Sequence, residues 1–165
     1  MSLSGVKICR VATIPYFLVS QLKEQGEYLS EQGIKVNMVS SDGPELSTLA
    51  KCKINHEIID IRRKIDIKND LIALIKLIIY FKKNNFDIVH SSTPKAGLLT
   101  ALAGFVANIP IVLHTFTGQQ WINERGIIYY ISRISDRIIG FLNTRCYADS
   151  ESQMSFILNE GLINK

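Results

Sequence analysis

The sequence predicts an α/β domain: an open parallel sheet with helices packed on both faces. Three observations lead there. Short apolar runs alternate with stretches of helical periodicity along the whole chain. Two of these runs, Ile88-Val89 and Ile111-Val112-Leu113, each end on a histidine, His90 and His114, followed by hydroxyl and glycine residues. Buried parallel strands whose carboxyl ends open onto a site read this way. Between them Leu98, Leu99, Ala101, Leu102, Phe105 and Val106 form a helical apolar face over 95–107 that stops before Asn108-Ile109-Pro110, which makes a strand–helix–strand unit.

The other elements follow in order. Residues 6–13 are strand-like, and 17–32 carry a helical pattern that Gly33 ends. A second strand spans 35–40. Asp42-Gly43-Pro44 forms a turn before a short helix at 45–51. A third strand is expected at 57–61 and an apolar helix at 69–84. Beyond the central unit, 121–144 has a helical pattern rich in Ile, Tyr and Arg, 146–148 a short strand, and 150–161 a closing helix. The alternation is that of a Rossmann-like sheet.

A chain of 165 residues, 47% hydrophobic, fits one domain over 1–165 with a sizeable core. Its four prolines and ten glycines are scattered, with no linker, low-complexity run or repeat. Three cysteines at wide spacing suggest neither a disulfide framework nor a zinc site, and the expected setting is a reducing cytosol. Lys7 and Arg10 interrupt the first apolar run, which excludes a signal peptide there. No G-x-G-x-x-G follows the first strand and no G-x-x-x-x-G-K-[ST] occurs, which argues against the usual dinucleotide site and against nucleoside triphosphatases.

The net charge of +4 is unevenly spread, since Arg62, Arg63, Lys64, Lys68, Lys76, Lys82 and Lys83 crowd one third of the chain. No nucleic-acid motif accompanies them, so an anionic membrane surface is the favoured partner. The apolar stretch 71–81 is too short to span a bilayer and is broken by Lys76. It fits either a membrane surface or simple packing on the sheet. The same two readings hold for 125–139, where arginines interleave with apolar residues, and Trp121 ahead of it would anchor at an interface or cover a cleft.

Ligands of such sheets bind at the carboxyl edge, where Thr13, Ser40, Ser41, Asp42, His90, Ser91, Ser92, Thr93, His114, Thr115, Thr117 and Gly118 fall. Thr93-Pro94 begins a helix whose free N–H groups and dipole favour an anion, and Lys95 adds charge. The plainer reading is that Ser91, Ser92 and Thr93 only cap that helix.

Five segments in this order and spacing resemble the N-terminal half of family 4 glycosyltransferases of the GT-B fold: Phe86-Asp-Ile-Val-His90, Thr93-Pro-Lys-Ala-Gly-Leu-Leu99, Ala107-Asn-Ile-Pro-Ile111, His114-Thr-Phe-Thr-Gly118 and Tyr147-Ala-Asp-Ser-Glu151. Within that family the chain is most similar to bacterial enzymes that extend lipid-linked sugars for capsule, O-antigen or glycoprotein glycans. The resemblance implies a retaining transfer from a nucleotide-diphosphate sugar to a lipid-linked or polysaccharide acceptor. It implies no metal and no other cofactor, and a cleft between this acceptor-binding domain and a C-terminal donor-binding domain that these residues lack. The fragment alone is then expected to be inactive. His114 takes the place of a catalytic histidine facing the sugar, or else is simply satisfied at a strand end, and His90 lines the cleft floor or packs in the core. Thr13, Pro15, Tyr16, Ser91, Ser92, Thr93, Lys95, Gly97, Thr115, Thr117 and Gly118 complete the expected substrate-binding set. Arg62, Arg63, Lys64, Lys76, Lys82 and Lys83 are the expected membrane contacts of a cytoplasmic protein held peripherally on the inner face of the cytoplasmic membrane. One departure is Ile14-Pro15-Tyr16-Phe17-Leu18, where many members have a glycine-rich turn; these side chains suit a prenyl chain or membrane, or else staple the first helix. The alternative from another class is a non-catalytic subunit that presents acceptor at the membrane to a separate donor-binding chain. A flavodoxin-like signalling domain lacks its acidic cluster here.

Overall fold

The computed structural model describes residues 4–52 and 54–163. Six strands pair in parallel in the order β3-β2-β1-β4-β5-β6: β1 (Lys7–Val11), β2 (Lys35–Ser40), β3 (Asn55–Ile58), β4 (Ile88–Ser91), β5 (Ile111–Phe116) and β6 (Arg145–Ala148). The expected fold class is therefore the observed one. Connections leave β1 in one direction along the sheet and β4 in the other, so the strand order diverges between them, where open α/β sheets form a crevice.

Side-chain alternation divides the core. On one face Cys9, Val11, Val89 and Val112 pack under α4 (Ile67–Asn84) and α5 (Pro94–Val106) through Leu77, Phe81, Leu99 and Ala103. Farther along the same face Phe116 meets α6 (Ile127–Leu142) and α7 (Glu151–Asn159) through Ile139 and Ile157. The opposite face of β1 and β2 is covered from Leu18, Leu22 and Leu49, which close on Ala12, Val36 and Met38. The remaining quarter has no helix over it among the described residues: none of the three clusters takes in Ile88, His90, Leu113, Thr115, Arg145 or Tyr147, which project from β4, β5 and β6 on that second face.

Local chemistry accounts for most boundaries. Asp66 caps α4 by accepting the Asn69 N–H at 3.2 Å, and Asn85 ends the helix in the left-handed region at φ 51°. Pro94 opens α5 at a position where a missing N–H costs nothing.

Three expectations need correction. The helix expected at 17–32 starts at Pro15 and is not uniform: α1 (Pro15–Phe17) passes through a π-helical turn (Leu18–Leu22) into α2 (Lys23–Glu31). The third strand lies two to three residues earlier than 57–61, because Ile59 and Ile61 are buried past the end of the ladder, with the Ile61 N–H donated to Ser41 Oγ at 2.8 Å. The long helix at 121–144 is split, since Gly126 at φ 63° breaks it into a short 3₁₀ turn (Gln120–Asn123) and α6.

Candidate active site at the carboxyl edge

The hydroxyl-rich loops meet at the β1/β4 divergence. The Thr13 N–H donates to Thr93 Oγ1 at 3.0 Å, and the two threonine hydroxyls lie 2.7 Å apart. Thr117 Oγ1 donates to the Ser92 carbonyl at 3.2 Å, joining the loop after β5 to the same point. Ser92 is buried, Thr93 half-buried, and Thr117 and Gly118 exposed. Gly118 sits at φ 116° with open space where a Cβ would stand, so this loop presents backbone outward. Tyr16 is exposed and stands above Pro15, which is buried against Gly43.

The plain capping reading of these hydroxyls does not hold. No side chain caps α5: Thr93 is engaged with Thr13, and Ser91 Oγ lies 2.9 Å from His114 Nδ1. The free first-turn N–H groups of α5 thus remain oriented toward the edge. Lys95 does not stand free beside them. Its ammonium is held by Asp70 at 2.9 Å and by the Lys64 carbonyl, which ties α5 to α4.

His114 and Gly97 form a second group behind the edge. β5 runs on to Phe116, so His114 lies inside the strand, where its ring is 1% exposed. Phe116 meets it edge to face with centroids 4.6 Å apart. Gly97 makes room, since a Cβ there would stand 2.5 Å from His114 Cε1. Both are enclosed by α5, α6 and the sheet, set back from the hydroxyls of the edge. Burial lowers the His114 pKa from 6.5 to about 3, so the imidazole is neutral.

His90 and Thr115 point to the second face. Arg10 Nη1 donates to His90 Nδ1 at 2.8 Å, which leaves the proton on Nε2 to donate to Thr115 Oγ1 at 2.8 Å. Burial, the Arg10 charge and His114 lower the His90 pKa from 6.5 to about 3. Arg10 itself is 8% exposed, and burial lowers its pKa to about 10, leaving it charged. Sequence reasoning passed over Arg10, although a charge inside the apolar run of β1 was a visible signal. It also missed Asp136, whose carboxylate accepts the Trp121 indole N–H at 2.6 Å and fastens the loop after β5 to α6. Trp121 is therefore a buried clasp, not an exposed anchor.

Among the described residues no group of three or more His, Cys, Asp or Glu side chains is placed to hold a metal ion. No helix among them is long and apolar enough to cross a membrane.

The architecture defines an α/β domain whose hydroxyl-bearing strand ends converge where β1 and β4 diverge. Residues 19–147 match Glycosyltransferase Family 4, and the chain belongs to that family. It is 35% identical over 141 residues to the capsular polysaccharide biosynthesis glycosyltransferase CapM of Staphylococcus aureus, covering 86% of this chain and 37% of that protein. It is 28% identical over 120 residues to the UDP-Gal:alpha-D-GlcNAc-diphosphoundecaprenol alpha-1,3-galactosyltransferase of Escherichia coli, covering 70% of this chain and 30% of that protein. The chain thus spans about a third of the length of these relatives. Solved structures share the fold at low identity. A glycosyltransferase from Rickettsia africae superposes with TM-score 0.67 at 18% identity over 96% of this chain and 40% of that one. MurG of Acinetobacter baumannii gives 0.63 at 16% over 87% and 41%.

The buried histidines set an expected pH dependence. Each has a folded pKa below its unfolded value, so the unfolded state takes up protons first as pH falls below 6.5 and stability declines down to about 3. Asp136, raised from 3.8 to about 6 by burial, acts in the opposite sense over 3.8–6. Urea midpoints measured between pH 7 and 4 should fall in the wild type, with part of the histidine-linked decline removed in His90→Gln and again in His114→Asn, and the remainder left to His56, whose pKa burial also lowers. An unaltered profile in both variants contradicts the neutral, buried assignment.

Proposed function

We propose that this chain is the acceptor-side domain of a longer, retaining family 4 glycosyltransferase. The enzyme moves a sugar from a nucleotide-diphosphate sugar to a lipid-linked or polysaccharide acceptor in cell-surface glycan synthesis. The observation that carries the reading is the family match together with a carboxyl edge that bears hydroxyls and uncapped amides. The two curated relatives, one for capsule synthesis and one acting on a diphosphoundecaprenol-linked sugar, support the acceptor class. Donor binding is assigned to the remainder of the polypeptide.

Within this reading Tyr16, Thr93, Thr117 and Gly118 meet acceptor or transferred sugar, Thr13 and Ser92 set their positions, and the α5 amides receive an anionic group of the substrate. His114, with Ser91, holds the end of β5 in place and does not enter the reaction. Thr117→Val in the longer enzyme should lower kcat/KM for the acceptor about tenfold, the worth of one hydrogen bond, while the nucleotide-sugar KM stays put. A loss confined to the donor KM sinks the acceptor-side assignment.

The domain is also proposed to lie on the inner face of the cytoplasmic membrane through α4. Ala73, Leu77 and Phe81 of that helix pack inward, while Ile67 (81% exposed), Leu71, Ile75 and Ile79 form an outward apolar stripe at every fourth residue. Lys68, Lys76, Lys82 and Lys83 flank the stripe, and no carboxylate among the described residues pairs with them. Arg63 and Lys64 are exposed in the preceding loop, whereas Arg62 is already paired with Asp60 and Asp66. An apolar stripe edged by cations suits anionic lipid. Vesicles with anionic headgroups should retain the protein at low salt, and Ile75→Asp with Lys76→Glu should abolish most of that retention. Equal retention of the variant removes α4 from the contact.

A further inference from the structure

The segment after β5 hangs between two glycines, Gly118 at φ 116° and Gly126 at φ 63°, both of which stand in open space. Between them only Gln119 and Trp121 are buried, and residues 122–128 are all exposed or, at Gly126, without a neighbour. The backbone bonds of the segment stay inside it, from the Ile122 N–H to the Gln119 carbonyl and from the Glu124 N–H to the Trp121 carbonyl. Among the described residues, one hydrogen bond ties 119–125 to the rest of the fold: the Trp121 indole N–H donated to Asp136 Oδ2 on α6 at 2.6 Å. The indole is 4% exposed, edge to face with Tyr129 at 5.4 Å between centroids and tilted against Phe156 at 5.9 Å.

A buried carboxylate with one hydrogen bond and no cation lowers stability, and none of the ion pairs among the described residues involves Asp136. An apolar side chain would fill the same space without that cost. It would leave the ring free to slide against Tyr129 and Phe156, whereas a short, charge-assisted bond gives the ring one direction. We propose that Asp136 is a positioning residue for the acceptor: by fixing Trp121 it sets the segment between the two glycines, and with it where Thr117 and Gly118 stand at the carboxyl edge. Thr117 is tied on the sheet side by the Ser92 carbonyl, and the Trp121–Asp136 bond ties the loop on the helix side. Asp136 is 5% exposed and acts through the indole alone. The inference rests on the acceptor-side reading above, in which Thr117 and Gly118 meet acceptor or transferred sugar.

The test uses the longer polypeptide. Asp136→Leu combined with Trp121→Phe removes both partners, so neither is left buried and unpaired, and the urea midpoint should stay close to that of the wild type. The same double variant should lower kcat/KM for the acceptor about tenfold, the loss expected for one hydrogen bond, with the nucleotide-sugar KM unchanged. Amide exchange at 119–124 should quicken about tenfold while Phe116 and Ile139 exchange as before. Asp136→Asn, whose carboxamide oxygen still accepts the indole N–H, should remain within about threefold of the wild type in both readouts. Trp121→Phe alone keeps the aromatic packing, loses only the N–H, and carries the same two expectations if the double variant does not fold. Unchanged exchange at 119–124 overturns the clasp. Faster exchange with wild-type acceptor kcat/KM overturns the positioning role, as does a loss that Asp136→Asn shares in full or one that falls equally on the donor KM. Exchange does not depend on sugar transfer, so a wild type that transfers no sugar fails the acceptor-side reading while the clasp is still decided.

Discussion

The hydroxyls of Thr13 and Thr93, 2.7 Å apart, join the end of β1 to the start of α5 at the point where the strand order diverges. A buried parallel sheet satisfies its backbone internally and is covered by helices, so polar chemistry collects at the strand ends. The Thr13–Thr93 contact decides what that edge looks like. Because Thr93 turns to Thr13, it does not cap α5, and the helix N-terminus stays open beside Ser92 and Thr117. The open helix start thus follows from a tertiary hydrogen bond displacing a local one.

That displacement also marks the limit of what the sequence discloses. Strand β2 was legible to the residue, because the apolar-rich run Lys35 to Ser40 is bounded by Gly33 and by Asp42-Gly43-Pro44. The strand–helix–strand unit was legible for the same reason, as was the family resemblance. The two histidines were not separable by reading. Both end short apolar runs, yet the register pairs Ser91, not His90, with His114, so the rings project from opposite faces. A one-residue offset between neighbouring strands is invisible without the ladder, and it moved His114 into the core and Thr115 onto the second face. Lys95 was misleading in another way: a lysine at a helix start suggests an anion, and only the approach of α4 brings Asp70 within 2.9 Å of it.

Two of the surfaces left once the core is built differ in chemistry. The outer side of α4 is apolar and cationic, with the charges free at its edges, which suits a fluid anionic layer. The second face of β4 to β6 is mixed, with Ile88, Leu113 and Tyr147 beside Thr115, Arg145 and the enclosed Arg10.

The central claim, that the carboxyl edge receives acceptor, is tested most directly by amide hydrogen exchange on the longer polypeptide. A short-chain prenyl-diphosphate sugar and a nucleotide sugar should be added separately. The account predicts that the prenyl-linked sugar slows exchange at residues 14–18, 95–97 and 117–120, and that the nucleotide sugar alone leaves those segments unchanged. Protection of the same segments by the nucleotide sugar and not by the prenyl-linked one would contradict it.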